Sequence, residues 1–258
     1  MINKKYLQLM RSYHKNDMNN FIYNKIAERI IDSLDLLSIK VRKALEIGLN
    51  DNLTYNFLKN KFLKSEVDGY DLIECNRGIN RDSVSFEIDI DKIVIKENYY
   101  DLIYSNSFLH ISNNFQKTLE NIFKNMRSNG FFISVIPCTD NMFQLSNSMF
   151  ETDLFYYNGA FQRFNPTIEI DNILPIMKNL NFDTPSIHTD NIIIEYQNFE
   201  RLLKDVRNMH ISYCLVDKKQ NFENKNYFNK LKEVYKKKYF NGYYILDIKI
   251  NIICAWKK

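Results

Sequence analysis

The stretch KALEIGLNDN, residues 43–52, decides the fold class of this chain. Apolar residues alternate from Leu45 to Leu49 as in a short buried strand, which breaks at Gly48 into a polar turn. Apolar residues at helical spacing follow from Thr54 to Phe62. A strand, a glycine turn and a helix place backbone N–H groups beside a nucleotide-like ligand. Only the first of the glycines expected in such a turn is present.

The rest of the chain alternates predicted strands with predicted helices. Further strands are predicted at 69–75, 84–88, 101–105, 131–136, 187–196 and 243–258, and helices around 19–37, 115–126, 170–180, 199–206 and 227–235. The pair Asn129-Gly130 is expected to stop the helix at 115–126 as a left-handed cap. This alternation predicts a Rossmann-like α/β fold. We expect one domain over 1–258, a seven-stranded, mostly parallel sheet with helices on both faces and an antiparallel last strand, preceded by a helical segment at 1–40.

Composition and charge exclude several classes of function. The chain has 258 residues, 45% hydrophobic and 26% charged, and a net charge of +4. Its only dense basic run, residues 236–238, lies late in a predicted helix, so no nucleic-acid partner is predicted. The four cysteines and four histidines show no metal-ligand spacing, so no metal is expected. No apolar run approaches the roughly 20 residues of a membrane span, and we expect a cytoplasmic protein.

Polar residues follow several of the predicted strands. Gly48, Glu74, Asp89, Ser105 and Asn106 all come at the carboxyl ends of strands. In a parallel sheet these ends share one rim, where the ligand crevice lies. Each position also has a purely structural explanation, as a solvated residue or a turn at the end of a strand.

The order of these motifs resembles a known family. LEIG on the first strand, an acid after the second, Asp89 after the third, DLIYSN on the fourth and NGFFISVIP on the fifth resemble class I S-adenosylmethionine-dependent methyltransferases. Within them the chain is most similar to the malonyl-[acyl-carrier protein] O-methyltransferases of biotin synthesis and the related complex I assembly factors. The similarity is continuous from Asp89 to Ser148 and returns in FNPTIEIDNILPIMKNLNF and IEYQNFERLLKDVRNMHIS. It begins around Tyr6 and covers nearly the whole chain.

The resemblance implies S-adenosylmethionine as the cofactor and assigns roles to particular residues. Glu46 and the glycine turn would hold the methionine end, Glu74 the ribose hydroxyls and Asp89 the adenine amino group. The full set of expected cofactor-binding residues is Glu46, Gly48, Asn50, Glu74, Asp89, Ile90, Ser105 and Asn106. Asn50 and Asn52 stand where the family usually keeps two more glycines. Asparagine tolerates positive φ, so the turn can survive, although its side chain takes space near the cofactor.

Glu46 also raises a question of its own, because an unpaired carboxylate in a buried strand is costly. We expect it to have a partner, either the cofactor's ammonium or a nearby main-chain cap. His110 matches a histidine often found in the family. A lone histidine between Leu109 and Ile111 is typical of a packed residue, so no catalytic residue is assigned.

The polar and aromatic segment at 138–168 is open to two interpretations, a lid over the substrate or a helix and connector with aromatic packing. The activity implied is methyl transfer to a carboxylate on an acyl-carrier protein or to a protein side chain. A basic patch for an acidic carrier could include Arg163, Arg201, Lys204 and Arg207, which are equally plausible as solvated charges. The alternative is an assembly factor for a respiratory complex, hydroxylase-like or non-catalytic, with a degenerate cofactor loop.

Overall fold

The computed structural model describes residues 1–13, 20–73, 83–86, 89–93, 96–209, 215 and 223–258. Within these ranges seven strands form one sheet: Lys43–Ile47 (β1), Glu66–Asp71 (β2), Ser83–Phe86 (β3), Tyr100–Asn106 (β4), Met126–Pro137 (β5), Asp183–Tyr196 (β6) and Tyr244–Trp256 (β7). Their order in the sheet is β3-β2-β1-β4-β5-β7-β6. Strands β1 to β5 pair in parallel, and β7 runs antiparallel to both β5 and β6. The predicted α/β class, with a mostly parallel sheet and an antiparallel last strand, is confirmed.

Helices cover both faces of the sheet. They are Lys4–Tyr13 (α1), Phe21–Asp35 (α2), Leu53–Lys61 (α3), Phe115–Asn125 (α4), Phe143–Tyr157 (α5), Ile170–Asn179 (α6), Phe199–Arg207 (α7) and Lys225–Tyr239 (α8). Helices α2, α3, α5, α7 and α8 contribute to the core on one face, and α1, α4 and α6 to the core on the other. In the described part of the chain no helix is long and apolar enough to cross a membrane.

Strand β1 lies inside the sheet and has a core on each face. Ala44 belongs to one core, and Leu45 and Ile47 belong to the other. Successive side chains of a strand point to opposite faces, so Leu45 and Ile47 share one face. The alternation near Leu45 in the sequence therefore comes from the two-residue period of the strand, and Glu46 lies on the opposite face.

Two predicted boundaries differ from the structure. Helix α4 ends at Asn125 and β5 begins at Met126, so Asn129-Gly130 lies inside the strand and caps no helix. Asn129 does have a positive φ of 62°, and its N–H donates to the carbonyl of Lys257. The chain therefore uses this pair for a strand irregularity beside β7. Strand β2 ends at Asp71, earlier than predicted, and Glu74 lies outside the described residues.

Candidate functional site

The turn after β1 requires glycine at position 48. Gly48 has a φ of +81°, and a Cβ atom there would lie 2.2 Å from the ring of Phe108. Its N–H donates to the carbonyl of Tyr70 at 2.8 Å, and its carbonyl accepts from the N–H of Asn50 at 2.9 Å. Phe108 follows β4, so the first glycine of the motif lets the ends of β1 and β4 come into contact.

Glu46 is buried in β1, and the structure supplies a partner for it. The Tyr104 hydroxyl donates to Glu46 Oε2 at 2.8 Å. The two residues are register partners in the parallel pair of β1 and β4. Glu46 thus has a partner, as predicted, but that partner is a tyrosine on the neighbouring strand and not one of the two expected, a cofactor ammonium or a main-chain cap.

Asp71, the last residue of β2, is the carboxylate that the sequence analysis missed. It is fully buried and accepts from the N–H of Leu49 at 2.9 Å and from that of Leu72 at 2.7 Å. It therefore ties the end of β2 to the turn after β1. The signal was present in the sequence as the acid two residues after Gly69. Because the strand was predicted to run to residue 75, Glu74 was predicted as the acid at its end, whereas β2 ends at Asp71.

Arg11, on helix α1, lies directly on Asp71. Its Nε donates to Asp71 Oδ1 at 3.1 Å and its Nη2 to Oδ2 at 2.6 Å, which makes a bidentate pair. Its Nη1 donates to Asn50 Oδ1 at 3.0 Å, and its guanidinium lies 5.1 Å from the centre of the Phe108 ring. Arg11 is only 6% exposed. The N-terminal helix thus places a buried cation at the rim of the sheet.

The polar residues near the end of β4 hold the rim together. The Asn50 side chain donates to the carbonyl of Asn106 at 2.7 Å. The Asn106 side chain donates to Asp51 Oδ2 at 2.7 Å and to the carbonyl of Tyr23 at 3.0 Å. The Ser105 hydroxyl donates to the carbonyl of Ile47 at 2.7 Å. These three expected cofactor residues are therefore brought together with Gly48, and all of them make internal contacts.

Asp89 lies near the first residue of α1, Lys4, whereas Arg11 is near the other end of that helix. Its side chain accepts from the N–H of Asp91 at 3.2 Å and caps a short 3-10 helix that begins with the buried Ile90. Lys4 forms ion pairs with both carboxylates, at 3.0 Å to Asp91. Burial acts to raise the pKa of Asp91, but hydrogen bonds from Ser112, Lys4 and Thr118 outweigh it and lower the pKa. Helix α1 therefore reaches this carboxylate pair through Lys4.

A cavity of about 440 Å³ opens beyond the end of β4. Ser107 and His110 line it on the side of the rim, with Cys138 beyond β5 and Ile248 and Ile250 on β7; α5 and the segment 161–167 form the opposite side. This volume is typical of a small-molecule site. Phe150 and Phe161, partly exposed, belong to its lining. The segment predicted as a lid or a helix with a connector thus contains helix α5 and borders this cavity.

Two titratable groups in this cavity are neutral at physiological pH. Burial lowers the pKa of His110 to about 4, and the structure gives its Nδ1 no hydrogen-bonding partner among the described residues. Burial, together with the nearby Asp140, raises the pKa of the Cys138 thiol to about 11. A thiol in this state is a poor nucleophile, so its chemistry is not that of a reactive cysteine.

Arg163 fixes one wall of the cavity. It binds both oxygens of the fully buried Asp153, with Nε 3.0 Å from Oδ2, and its Nη2 lies 2.7 Å from Glu223. Asp153 also accepts from the Tyr227 hydroxyl at 2.8 Å. Burial acts to lower the pKa of Arg163, but the hydrogen bonds to Asp153 and Glu223 outweigh it, so the pKa lies above its usual value. The segment around 163 is therefore held against α5 and the residues next to α8.

Of the four candidates for a basic patch, Arg163 thus forms ion pairs with two carboxylates. Arg201 pairs with Asp205 on its own helix at 3.1 Å, and Arg207 lies 5.0 Å from the centre of the Phe228 ring. Lys204 is exposed on the same helix. No group of three or more His, Cys, Asp or Glu side chains that could hold a metal ion occurs among the described residues.

Known methyltransferases share this fold and part of this sequence. Residues 45–134, from β1 to the middle of β5, match the family of methyltransferase domains. A solved SAM-dependent methyltransferase from Archaeoglobus fulgidus superposes with a TM-score of 0.52 over 91% of this chain and 94% of its own, at 14% identity. The chain has the class I methyltransferase fold. The resemblance to class I S-adenosylmethionine-dependent methyltransferases is thereby confirmed.

Two curated relatives represent the two functional alternatives. The chain is 24% identical to the mitochondrial arginine-hydroxylase NDUFAF5 of Dictyostelium discoideum, over 86% of this chain and 56% of that protein. It is 19% identical to malonyl-[acyl-carrier protein] O-methyltransferase 1 of Coxiella burnetii, over 71% of this chain and 62% of that protein. The chain thus spans less than two thirds of the length of either. The first relative corresponds to the alternative predicted from the sequence, and the second corresponds to the main prediction of a methyltransferase.

The residues at the rim fit S-adenosylmethionine only under one condition. Asp71 and Glu46 are carboxylates of the kind that bind hydroxyl and ammonium groups, whereas Phe108 fills the space beside Gly48. A carboxylate has about four acceptor positions. Arg11 and the two N–H groups of Leu49 and Leu72 already use four on Asp71. A ribose diol would therefore have to displace Arg11.

Proposed function

We propose that this chain is an S-adenosylmethionine-dependent methyltransferase whose acceptor is a protein side chain or a carboxylate on an acyl-carrier protein. The donor would bind at the rim formed by the ends of β1, β2 and β4, and the acceptor in the cavity beyond β4. Methyl transfer from a sulfonium is an in-line displacement, which positioning alone can accelerate strongly. The cofactor would supply the activated methyl group.

The observation that carries this proposal is the arrangement of residues 106–110. Phe108 packs on Gly48 at the rim, while Ser107 and His110, on either side of it, line the cavity. One short stretch of chain is therefore shared by both sites. A donor held at the turn after β1 and an acceptor in the cavity would meet across this stretch.

The chain's own residues would bind and orient the donor. Glu46, Gly48, Asn50, Glu74, Asp89, Ile90, Ser105 and Asn106 remain the predicted cofactor-binding residues. We add Asp71 as the acceptor of the ribose hydroxyls, because it lies at the end of β2 beside the glycine turn. Phe150 on α5 and Phe161, which line the cavity, would exclude water from the reacting groups. Segment 138–168 would thus act as a lid over the acceptor. We also propose that residues 1–258 form a single domain.

Calorimetric titration with S-adenosylmethionine and S-adenosylhomocysteine tests the donor site. We expect saturable binding of both, weakened at least about tenfold in the Asp71→Asn variant, which removes a charged acceptor. The matched variant Asp101→Asn changes a carboxylate at the opposite end of β4 and should bind as the wild type does. The absence of binding at millimolar ligand would overturn the proposal.

A second candidate is an assembly factor for a respiratory complex, hydroxylase-like or without catalysis. The observation that favours it is Arg11, which occupies the acceptor positions of Asp71 that a ribose would need. Complementation of a biotin auxotroph tests the carrier-protein form of the first candidate, because only a carrier-protein methyltransferase should restore growth. Growth without biotin would exclude the second candidate for that host.

The cellular location belongs to the same proposal. We propose the cytoplasm, although the arginine-hydroxylase relative is a mitochondrial protein. Cell fractionation with an antibody against the chain distinguishes the two compartments. An acyl-carrier protein or another protein remains the proposed partner, with no nucleic acid involved.

A further inference from the structure

His110 is a buried hydrogen-bonding group that the structure leaves unused. The residue is only 4% exposed and lies in the 3-10 helix that follows β4. Its Nδ1 is sealed from solvent without a partner, yet the ring contributes to the cavity wall. A hydrogen bond between this ring and a molecule in the cavity would therefore involve the other ring nitrogen, Nε2. Thr167, on the opposite wall, likewise has a sealed hydroxyl without a partner among the described residues.

The charge of the cavity narrows what it can hold. Among the described residues that line it, Arg163 is the only one with a full charge at neutral pH. Its guanidinium is bound by two carboxylates, those of Asp153 and Glu223. An anion that entered would therefore meet a cation whose charge these two carboxylates already offset. Burying a carboxylate without a counter-charge or sufficient hydrogen bonds is strongly unfavourable.

We propose that the acceptor in this cavity is not an anion and that an uncharged group of it forms a hydrogen bond with the imidazole of His110. A neutral imidazole donates a hydrogen bond through one ring nitrogen and accepts one through the other, so an uncharged hydroxyl or amide group satisfies either nitrogen. This inference rests on the proposed function for the identity of the cavity as the acceptor site. It narrows that function to an uncharged hydrogen-bonding group, such as an amide or hydroxyl of a protein side chain, and it excludes a carrier-linked carboxylate.

Three small probes of nearly equal size test the proposal: benzyl alcohol, benzamide and benzoate. Their binding is followed by NMR through the ring carbon and proton signals of His110, assigned with the His110→Phe variant. We expect the alcohol and the amide to shift these signals saturably and benzoate to bind at least about tenfold more weakly. In His110→Phe, followed through labelled Met142 and Met209 of the lining, this preference should disappear.

His188→Phe is the matched control, because His188 is exposed on β6, and it should retain the full preference. Equal or tighter binding of benzoate overturns the proposal. So does a preference that survives in His110→Phe, or the absence of saturable binding by all three probes. Titration of the same samples with S-adenosylhomocysteine tests the methyl donor separately. If the cavity prefers the alcohol and the amide to benzoate but the protein does not bind S-adenosylhomocysteine, the cavity inference stands and the proposed methyl transfer fails.

Discussion

Arg11 and Asp71 form a buried bidentate ion pair that joins helix α1 to the end of β2, with Nη2 2.6 Å from Oδ2. The pair brings the N-terminal helix onto the rim formed by the ends of β1, β2 and β4. In a buried pair the loss of one partner leaves an uncompensated charge, which costs about 3–5 kcal/mol. Arg11 therefore stabilises the fold and at the same time occupies Asp71.

The first prediction concerns this dual role. Arg11→Gln keeps an N–H donor for Asp71 but removes the charge and one arm of the fork. We expect S-adenosylhomocysteine to bind at least about tenfold more tightly, because the binding-competent state no longer requires the displacement of an ion pair. Urea unfolding should show a loss of about 3 kcal/mol, toward the low end for a broken buried pair.

The control for Arg11 is Arg127→Gln, which breaks a more exposed pair with Asp101 at 3.0 Å. It should change stability by no more than about 1 kcal/mol and leave affinity unaltered. If Arg11→Gln bound the ligand no better than the wild type, the role of Arg11 as an obstacle would be refuted.

The second prediction concerns the asparagines of the turn. The Asn50 side chain bridges Arg11 and the carbonyl of Asn106, whereas Asn52 makes no side-chain cap at the start of α3. Asn50→Gly should thus free space and loosen Arg11, and we expect tighter binding of S-adenosylmethionine by calorimetry. Asn52→Gly makes the same chemical change outside this network and should have little effect. Unchanged affinity in Asn50→Gly would mean that the turn no longer contacts a cofactor.

The third prediction separates backbone conformation from close contact. Gly48 and Gly242 both have positive φ, +81° and +91°, but only Gly48 has a neighbour where a Cβ would lie. Gly242→Ala should cost about 1–2 kcal/mol from backbone strain alone. Gly48→Ala should cost a further 1–3 kcal/mol or so, because the new methyl group overlaps Phe108. Equal losses in denaturant unfolding would show that Phe108 moves aside freely.

The fourth prediction uses the low pKa of His110. In the unfolded chain a histidine titrates near pH 6.5, whereas burial lowers the pKa of His110 to about 4. Between these values the unfolded state binds a proton that the folded state does not. Stability should therefore fall as the pH falls from 6.5 to 4, with about 3 kcal/mol of the loss due to this residue.

His110→Phe should abolish that part of the loss, which urea unfolding at several pH values measures directly. His188→Phe, on the exposed side of β6, serves as the comparison. An acid sensitivity that is identical in His110→Phe and the wild type would show that the ring is protonated in the folded protein.

The sequence predicted the fold better than it predicted the site, and particular residues show why. Leu45 and Ile47 lie in a strand buried on both faces, so their pattern reflects local geometry alone. The neighbours of Asp71 come from helix α1 and from the turn after β1, 60 and 22 residues away along the chain. Such contacts depend on the packing of distant elements, which no local pattern encodes.

The partner of Glu46 illustrates the same limit. The cost of burying its carboxylate predicted that a partner exists, but only the register between β1 and β4 identifies it as Tyr104. His110 was expected to be a packed residue, and it is indeed buried; its place on the cavity wall depends on α5 and the segment 161–167.

The position of β7 in the sheet has a consequence for the order of assembly. In the described sheet β6 is hydrogen-bonded to β7 alone, and β7 lies between β5 and β6. During synthesis β6 leaves the ribosome before the strand that connects it to the rest of the sheet. Until residues 244–256 have emerged and paired with β5, β6 has no strand of the sheet to pair with. The unpaired backbone groups at the edge of β5 can meanwhile pair with other chains. Expression of this protein should accordingly depend on chaperones during that interval.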